Sequence, residues 1–137
     1  MITVHIVDDH KILVEGLQKL VDESGFAKTT AVSYTGKECM TQLRREQPDV
    51  ILLDINLPDA SGIDLCKEIK SLFPKVKIVA LTSYSEYAIV RQMIENGASG
   101  YVIKNAMPEE ILMSIESVAD GETFLCEQID MLMKRST

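Results

Sequence analysis

The sequence predicts a doubly wound α/β fold, a parallel sheet with helices on both faces. Three observations lead there. Short apolar runs alternate five times with amphipathic segments, the (βα)5 rhythm of a parallel sheet wound right-handedly. The third and fourth runs, residues 50–53 and 78–81, are continuously apolar, as central parallel strands covered on both faces should be. Turn and cap residues stand at the joints between runs.

In chain order, a first strand over residues 3–7 leads to a helix whose apolar face is Leu13, Leu17, Leu20 and Val21. Gly25 closes that helix, and a second strand covers residues 29–32. Pro48-Asp49 precedes the third strand and Pro74 the fourth. Asn96-Gly97 ends the fourth helix as a C-cap would, ahead of a fifth strand over residues 100–103. Pro108 suits the first turn of the fifth helix, and Glu109-Glu110 suit the favourable end of its dipole. The apolar face of that helix is Ile111, Leu112, Ile115, Val118 and Ala119. Past Gly121 the pattern weakens. Residues 127–134 read as a short helix or a frayed linker, so the expected division is one domain over 1–125 and a linker or tail over 126–137.

A chain of 137 residues is long enough for one domain with an ordinary core. Its net charge of −7, without a basic stripe, argues against direct binding to nucleic acid. Met1 leads straight into an alternating apolar stretch with no basic leader, and no apolar run is long enough to span a bilayer. A soluble, cytoplasmic protein without membrane contact is therefore expected. Cys39, Cys66 and Cys126 are widely spaced and lack the spacing of metal ligands, so they read as small buried hydrophobes.

In such a sheet the chemistry gathers at the carboxyl ends of the strands. The first strand ends in Asp8-Asp9, the third in Asp54, the fourth in Thr82-Ser83 and the fifth in Lys104. Carboxylates brought this close raise one another's pKa unless a cation joins them. Hard oxygen ligands suit Mg²⁺, with the backbone carbonyl of Asn56 as a further oxygen. Asp54 is then the candidate nucleophile toward phosphorus, Lys104 the neutralising cation and Thr82 the hydrogen-bond donor. Phosphoryl transfer asks for this positioning and charge compensation. Each part alone has an ordinary reading: a solvated Asp-Asp turn, a surface lysine, a helix-capping Thr-Ser pair. Ser85 before Glu86 is the expected N-cap of the fourth helix, and His10 is read as a solvent-facing residue at a helix start. The joint occurrence of the set, at the ends of four separate strands, carries the chemical reading.

These residues resemble the receiver domain of two-component response regulators, over roughly residues 1–125. Asp8-Asp9 is similar to that family's acidic metal-binding pair. Asp54-Ile-Asn-Leu-Pro-Asp-Ala-Ser-Gly62 resembles its phosphoacceptor loop, with a proline and a closing glycine. Thr82 resembles its switch hydroxyl, Tyr101 its switch aromatic and Lys104 its phosphate-contacting lysine. Asp8-Asp-His10, Ala98-Ser-Gly-Tyr-Val-Ile-Lys104 and Ala119-Asp-Gly-Glu-Thr-Phe124 further resemble the NarL/FixJ subfamily. The resemblance implies a flavodoxin-like strand order 2-1-3-4-5, Mg²⁺ as cofactor and a sensor histidine kinase or small phosphodonor as source of the phosphoryl group. It implies that Thr82 moves toward the new oxygens and that Tyr101 swings inward, remodelling the face of the fourth helix, fifth strand and fifth helix. A homodimer on phosphorylation and a C-terminal helix-turn-helix output domain that contacts DNA are also implied.

Three positions depart from the family pattern. Asn105 stands where many receivers place proline after a cis bond, and a non-proline cis bond costs about 2.5–4 kcal/mol. Sequence alone leaves that isomer open. Ala60 replaces a common methionine and Val14 a common arginine, neither near the proposed chemistry. The twelve residues after Leu125 are too few for a DNA-binding domain, so a fragment of a longer regulator is preferred over a stand-alone receiver. Two other activities share features with this site. A flavin binder of the same fold would need a phosphate-cradling loop where Asp8-Asp9-His10 repels one. A phosphohydrolase would need a general acid two residues after Asp54, where Asn56 cannot serve. A receiver acting only as an interaction module is disfavoured by the complete set of charged groups.

Overall fold

A computed structural model describes residues 1–135. Six strands form one parallel sheet: β1 (Ile2–Val7), β2 (Ala27–Ser33), β3 (Val50–Leu53), β4 (Lys77–Thr82), β5 (Gly100–Ile103) and β6 (Phe124–Leu125). Their order is 2-1-3-4-5-6, so the expected order holds and gains a sixth strand at its open edge. The helices are α1 (Lys11–Glu23), α2 (Gly36–Arg45), α3 (Gly62–Leu72), α4 (Tyr87–Glu95), α5 (Pro108–Ala119) and α6 (Glu127–Arg135). α1 packs beside α5, while α2, α3 and α4 follow one another in contact.

The central strands are buried along their length: all of β3 and β5, and β4 after its first residue. Burial on both faces explains the lack of polar alternation there. α1 buries Val14, Leu17 and Val21, with Leu13 and Leu20 half-buried beside them. The valine that stands where subfamily members carry arginine is thus a core residue. α5 starts on Pro108 as expected and buries Ser114 among its apolar face, where the hydroxyl bonds back to the Ile111 carbonyl at 2.6 Å.

The chain turns as its breakers direct. Asn96 caps α4 and Gly97 takes φ +106°, where a side chain would be strained and would also meet Lys70 at 2.7 Å. The N-cap of α4 is Glu86 rather than Ser85, and it makes no side-chain capping bond. Every peptide bond among the described residues is trans, including the one before Asn105.

Of the two readings of residues 127–134, the short helix is the one the structure has, and a two-residue strand precedes it. Phe124 and Leu125 pair with Gly100 and Tyr101, Cys126 is buried between strand and helix, and the following helix buries Ile129. Two paired residues are too few to show a strand periodicity, which is why sequence alone missed β6. Ser136 and Thr137 of the expected tail lie outside the described residues.

All three cysteines are buried and free, and burial pushes the Cys39 and Cys66 thiols up to about 12. Such thiols stay protonated and inert at neutral pH.

His5 went unremarked in the sequence, because one polar residue in an apolar strand carries little signal. It is 1% exposed, with Nε2 2.7 Å from Ser33 Oγ and Nδ1 without a hydrogen-bond partner. Burial lowers its pKa from 6.5 to about 4. The unfolded chain therefore binds this proton more tightly than the folded one. Stability should be complete above the unfolded value and fall as pH drops through that window, by about 2 kcal/mol near pH 4.5. Urea melts at neutral and mildly acid pH should show a shallower decline in His5→Gln than in the wild type.

Candidate active site

One backbone rule sets three of the predicted residues. Asp8, Asp54 and Lys104 each stand one position past a strand end, and each donates its N–H to the last carbonyl of the neighbouring strand. Asp8 bonds to Ser33 at 3.0 Å, Asp54 to Val7 at 2.9 Å and Lys104 to Thr82 at 2.8 Å. Strand pairing thus fixes the Cα positions before any side chain interacts.

The side chains converge. Lys104 Nζ lies 3.0 Å from Asp8 Oδ2 and 3.2 Å from Asp54 Oδ2, tying the ends of β1, β3 and β5 together. Asp8 and Asp54 are 1% and 2% exposed, whereas Asp9 faces solvent at the mouth. Burial raises the Asp54 carboxyl above its ordinary pKa, and the Asp8 charge adds to this. The Asn56 N–H at 3.1 Å and Lys104 work in the opposite direction.

His10 is exposed as expected, yet it belongs to the cluster. Its ring Nδ1 lies 2.8 Å from Asp8 Oδ1, 3.4 Å from Asp9 Oδ1 and 3.0 Å from Lys104 Nζ. Its backbone N–H also donates to Asp8 Oδ1 at 2.9 Å.

The site fits a divalent cation. One ligand atom from each of Asp8, Asp9, His10 and Asp54 lies within 4.8 Å of the others. Asp8 Oδ2 is buried and makes no hydrogen bond, because its contact with Lys104 has the distance of an ion pair without hydrogen-bond geometry. A buried carboxylate oxygen in that condition has a lone pair free for a hard cation.

Thr82 ends β4 fully buried, with Oγ1 accepting from the Tyr84 N–H at 3.2 Å. Tyr101, read from sequence as a ring that swings inward, already lies inside at 0% exposure. Its hydroxyl donates to the Tyr84 carbonyl at 2.9 Å, and burial raises its pKa far above the ordinary phenol value. Both switch candidates therefore meet at Tyr84, in the β4–α4 loop.

Two supports of the site were only partly legible. The closing glycine, Gly62, packs so tightly that a Cβ would lie 2.4 Å from both the Asp54 carbonyl oxygen and Ile55 Cα. Asp59, unremarked in sequence, accepts from the Gly36 N–H at 2.8 Å and the Lys37 N–H at 3.1 Å, which also holds its pKa below the ordinary carboxylate value. Thr35 Oγ1 takes the Glu38 N–H at 3.1 Å, so the α2 N-terminus is capped from within and by the β3–α3 loop.

A flavodoxin-like sheet with two buried carboxylates and a lysine at adjacent strand ends, and a hydroxyl on the strand between, defines an acidic receiver-type site. The chain belongs to that class: residues 4–116 match the family described as response regulator receiver domain. It is 29% identical over 136 residues to the response regulator UvrY of Escherichia coli strain K12, across 99% of this chain and 62% of UvrY. It is 33% identical over 125 residues to the DNA-binding transcriptional activator DevR/DosR of Mycobacterium tuberculosis, across 91% of this chain and 58% of that protein. The chain thus spans about three fifths of these curated relatives. A two-component response regulator of the LuxR family from Aurantimonas sp. superposes with a TM-score of 0.93 at 27% identity, over 100% of this chain and 99% of the other. The NarL/FixJ resemblance is borne out by these relatives. No helix among the described residues is long and apolar enough to cross a membrane.

Proposed function

We propose that this chain is the phosphoacceptor switch of a response regulator, with Asp54 as the residue that takes the phosphoryl group. The observation that carries the reading is the pair of buried carboxylates, Asp8 and Asp54, sharing the Lys104 ammonium at three strand ends. Asp54 attacks the phosphorus of a histidine kinase's phosphohistidine or of acetyl phosphate. A P–O bond forms as the bond to imidazole or acetate breaks, and the leaving group departs with the electron pair. Asp8, Asp9, Asp54 and the Asn56 carbonyl would hold Mg²⁺, which would supply charge compensation for the incoming phosphoryl oxygens. Lys104 neutralises one phosphoryl oxygen and the Thr82 hydroxyl donates to another.

The aspartyl phosphate carries about −1.5 to −2 charges by analogy with other protein phosphates. Drawing Thr82 toward it frees the Tyr84 N–H and disturbs the loop that Tyr101 holds, remodelling the α4–β5–α5 face. Inverting a two-state population from 1:99 to 99:1 takes about 5.5 kcal/mol, a gap that several charge-assisted contacts supply. The acyl phosphate then hydrolyses, resetting the switch, with Asn56 and Tyr84 flanking the water path. The longer relative DevR/DosR, a DNA-binding transcriptional activator, supports a C-terminal DNA-binding output domain reached through residues 126–137; a cytoplasmic setting and dimerisation on phosphorylation complete the proposal.

Intact mass after incubation with Mg²⁺ and acetyl phosphate tests the proposal. One phosphoryl group should appear on the wild type and be absent with EDTA and in Asp54→Asn. No gain under any donor, a histidine kinase included, would reduce the chain to an interaction module of the same fold.

A further inference from the structure

The face expected to signal is covered by the chain's own end. β6 extends the sheet beyond β5, with the Phe124 N–H bonded to the Ser99 carbonyl at 2.9 Å and the Cys126 N–H to the Tyr101 carbonyl at 3.1 Å. Glu110 Oε2, on α5, accepts the Glu127 N–H at 2.8 Å and so caps α6 from outside. Cys126 and Ile129 anchor the segment at 1% and 0% exposure.

This attachment depends on docking. A two-residue strand and a nine-residue helix are below the length at which either is stable alone, so both persist only while docked. Phe124, Leu125, Leu132 and Met133 are only partly buried where they pack against the core, and a short terminal segment docked in this way opens before the central strands do.

The position of α6 is equally informative. Gln128 borders a cavity of about 280 Å³ whose other walls are Ser83, Ser85, Ile103, Lys104 and Asn105. Further along, Met131 and Arg135 face Ser85 across a second groove. α6 therefore sits across the β4–α4 and β5–α5 loops, the two that adjoin Thr82 and Lys104, while its leading strand is bonded to the switch tyrosine's own carbonyl.

We infer that β6–α6 is a built-in strap that covers the β5 edge in the resting state and is released when Asp54 is phosphorylated. The inference rests on the phosphoacceptor reading above. Movement of Thr82 and Lys104 toward a phosphoryl group draws both loops away from α6 and removes the bed on which Gln128 lies. Because coupling between two equilibria is reciprocal, loosening the strap must also favour phosphorylation.

Hydrogen exchange of the full chain, followed peptide by peptide with Mg²⁺ and beryllium fluoride as phosphoryl mimic, tests this beside an Asp54→Asn control. Amides of residues 124–135 should exchange about tenfold faster in the wild type with the mimic, while β1 keeps its protection and the control does not respond. Ile129→Ala, or the milder Glu110→Gln should the first unfold, should give the same acceleration without the mimic. Either variant should also bind beryllium fluoride with Mg²⁺ several-fold more tightly than the wild type. Unchanged exchange at 124–135 in a protein whose mass shows phosphorylation overturns the strap and leaves the switch standing. A protein that takes up no phosphoryl group overturns both.

Discussion

Gly62→Ala should cost about 3 kcal/mol, lower the Tm by roughly 10 °C and reduce phosphoryl uptake far below that of the wild type. The reason is local and severe. The added methyl would stand 2.4 Å from the Asp54 carbonyl oxygen and 2.4 Å from Ile55 Cα, and both are backbone atoms without rotamer freedom. Relief requires α3 or the residue that carries the proposed nucleophile to move. The Gly62 N–H also bonds to the Ile55 carbonyl at 2.6 Å, so separating the segments strains that bond as well. Thermal unfolding followed by circular dichroism, together with intact mass under acetyl phosphate, checks both halves. A variant with wild-type stability and uptake would show that the loop tolerates a displacement of its backbone.

Asp54→Asn should abolish phosphoryl uptake and at the same time raise the Tm in the absence of divalent cation. Burial and the neighbouring Asp8 charge both disfavour the ionised Asp54 in the folded state, and together they outweigh Lys104 and the Asn56 N–H. A carboxyl whose folded pKa lies above its unfolded value lowers stability at neutral pH, and the penalty fades as pH falls through the folded value. A neutral amide of the same shape removes the penalty, while Lys104 keeps Asp8 as partner. Added Mg²⁺ should then stabilise the wild type more than the variant, since one of its proposed ligands is lost. Melting curves of both proteins with EDTA and with Mg²⁺ decide the matter. A variant less stable than the wild type without metal would mean that the Lys104–Asp54 contact outweighs the buried charge.

How far the sequence can be read follows from the range of each signal. The ends of β1, β3, β4 and β5 were legible because a mainly apolar run followed by a charged or hydroxyl residue is a local pattern. Pro108 and Asn96-Gly97 were legible for the same reason, since caps depend on neighbours in the chain. His10 was not, because its contact with Lys104 spans 94 residues. Tyr101 was recognised as part of the switch, but its resting position depends on the carbonyl of Tyr84, which no pattern encodes. β6 and the buried side of α6 were missed because their order comes from docking, with Ile129 and Cys126 as the anchors. Ser85 looked like a cap by type, whereas backbone geometry gives that position to Glu86.

The double anchorage of the β3–α3 loop has a mechanical consequence. Gly62 presses on the backbone behind Asp54, and Asp59 grips the start of α2, so one side of the acidic site behaves as a wall. The opposite side, where Thr82 ends β4 and Tyr84 and Lys104 stand on the loops beyond, borders a short helix and would serve as the piston of the proposed switch. In the proposed switch, a phosphoryl group between wall and piston would act in one direction only. Softening the wall, by taking the carboxylate from Asp59, would let the same chemical event spend its stroke on the wrong side of the molecule.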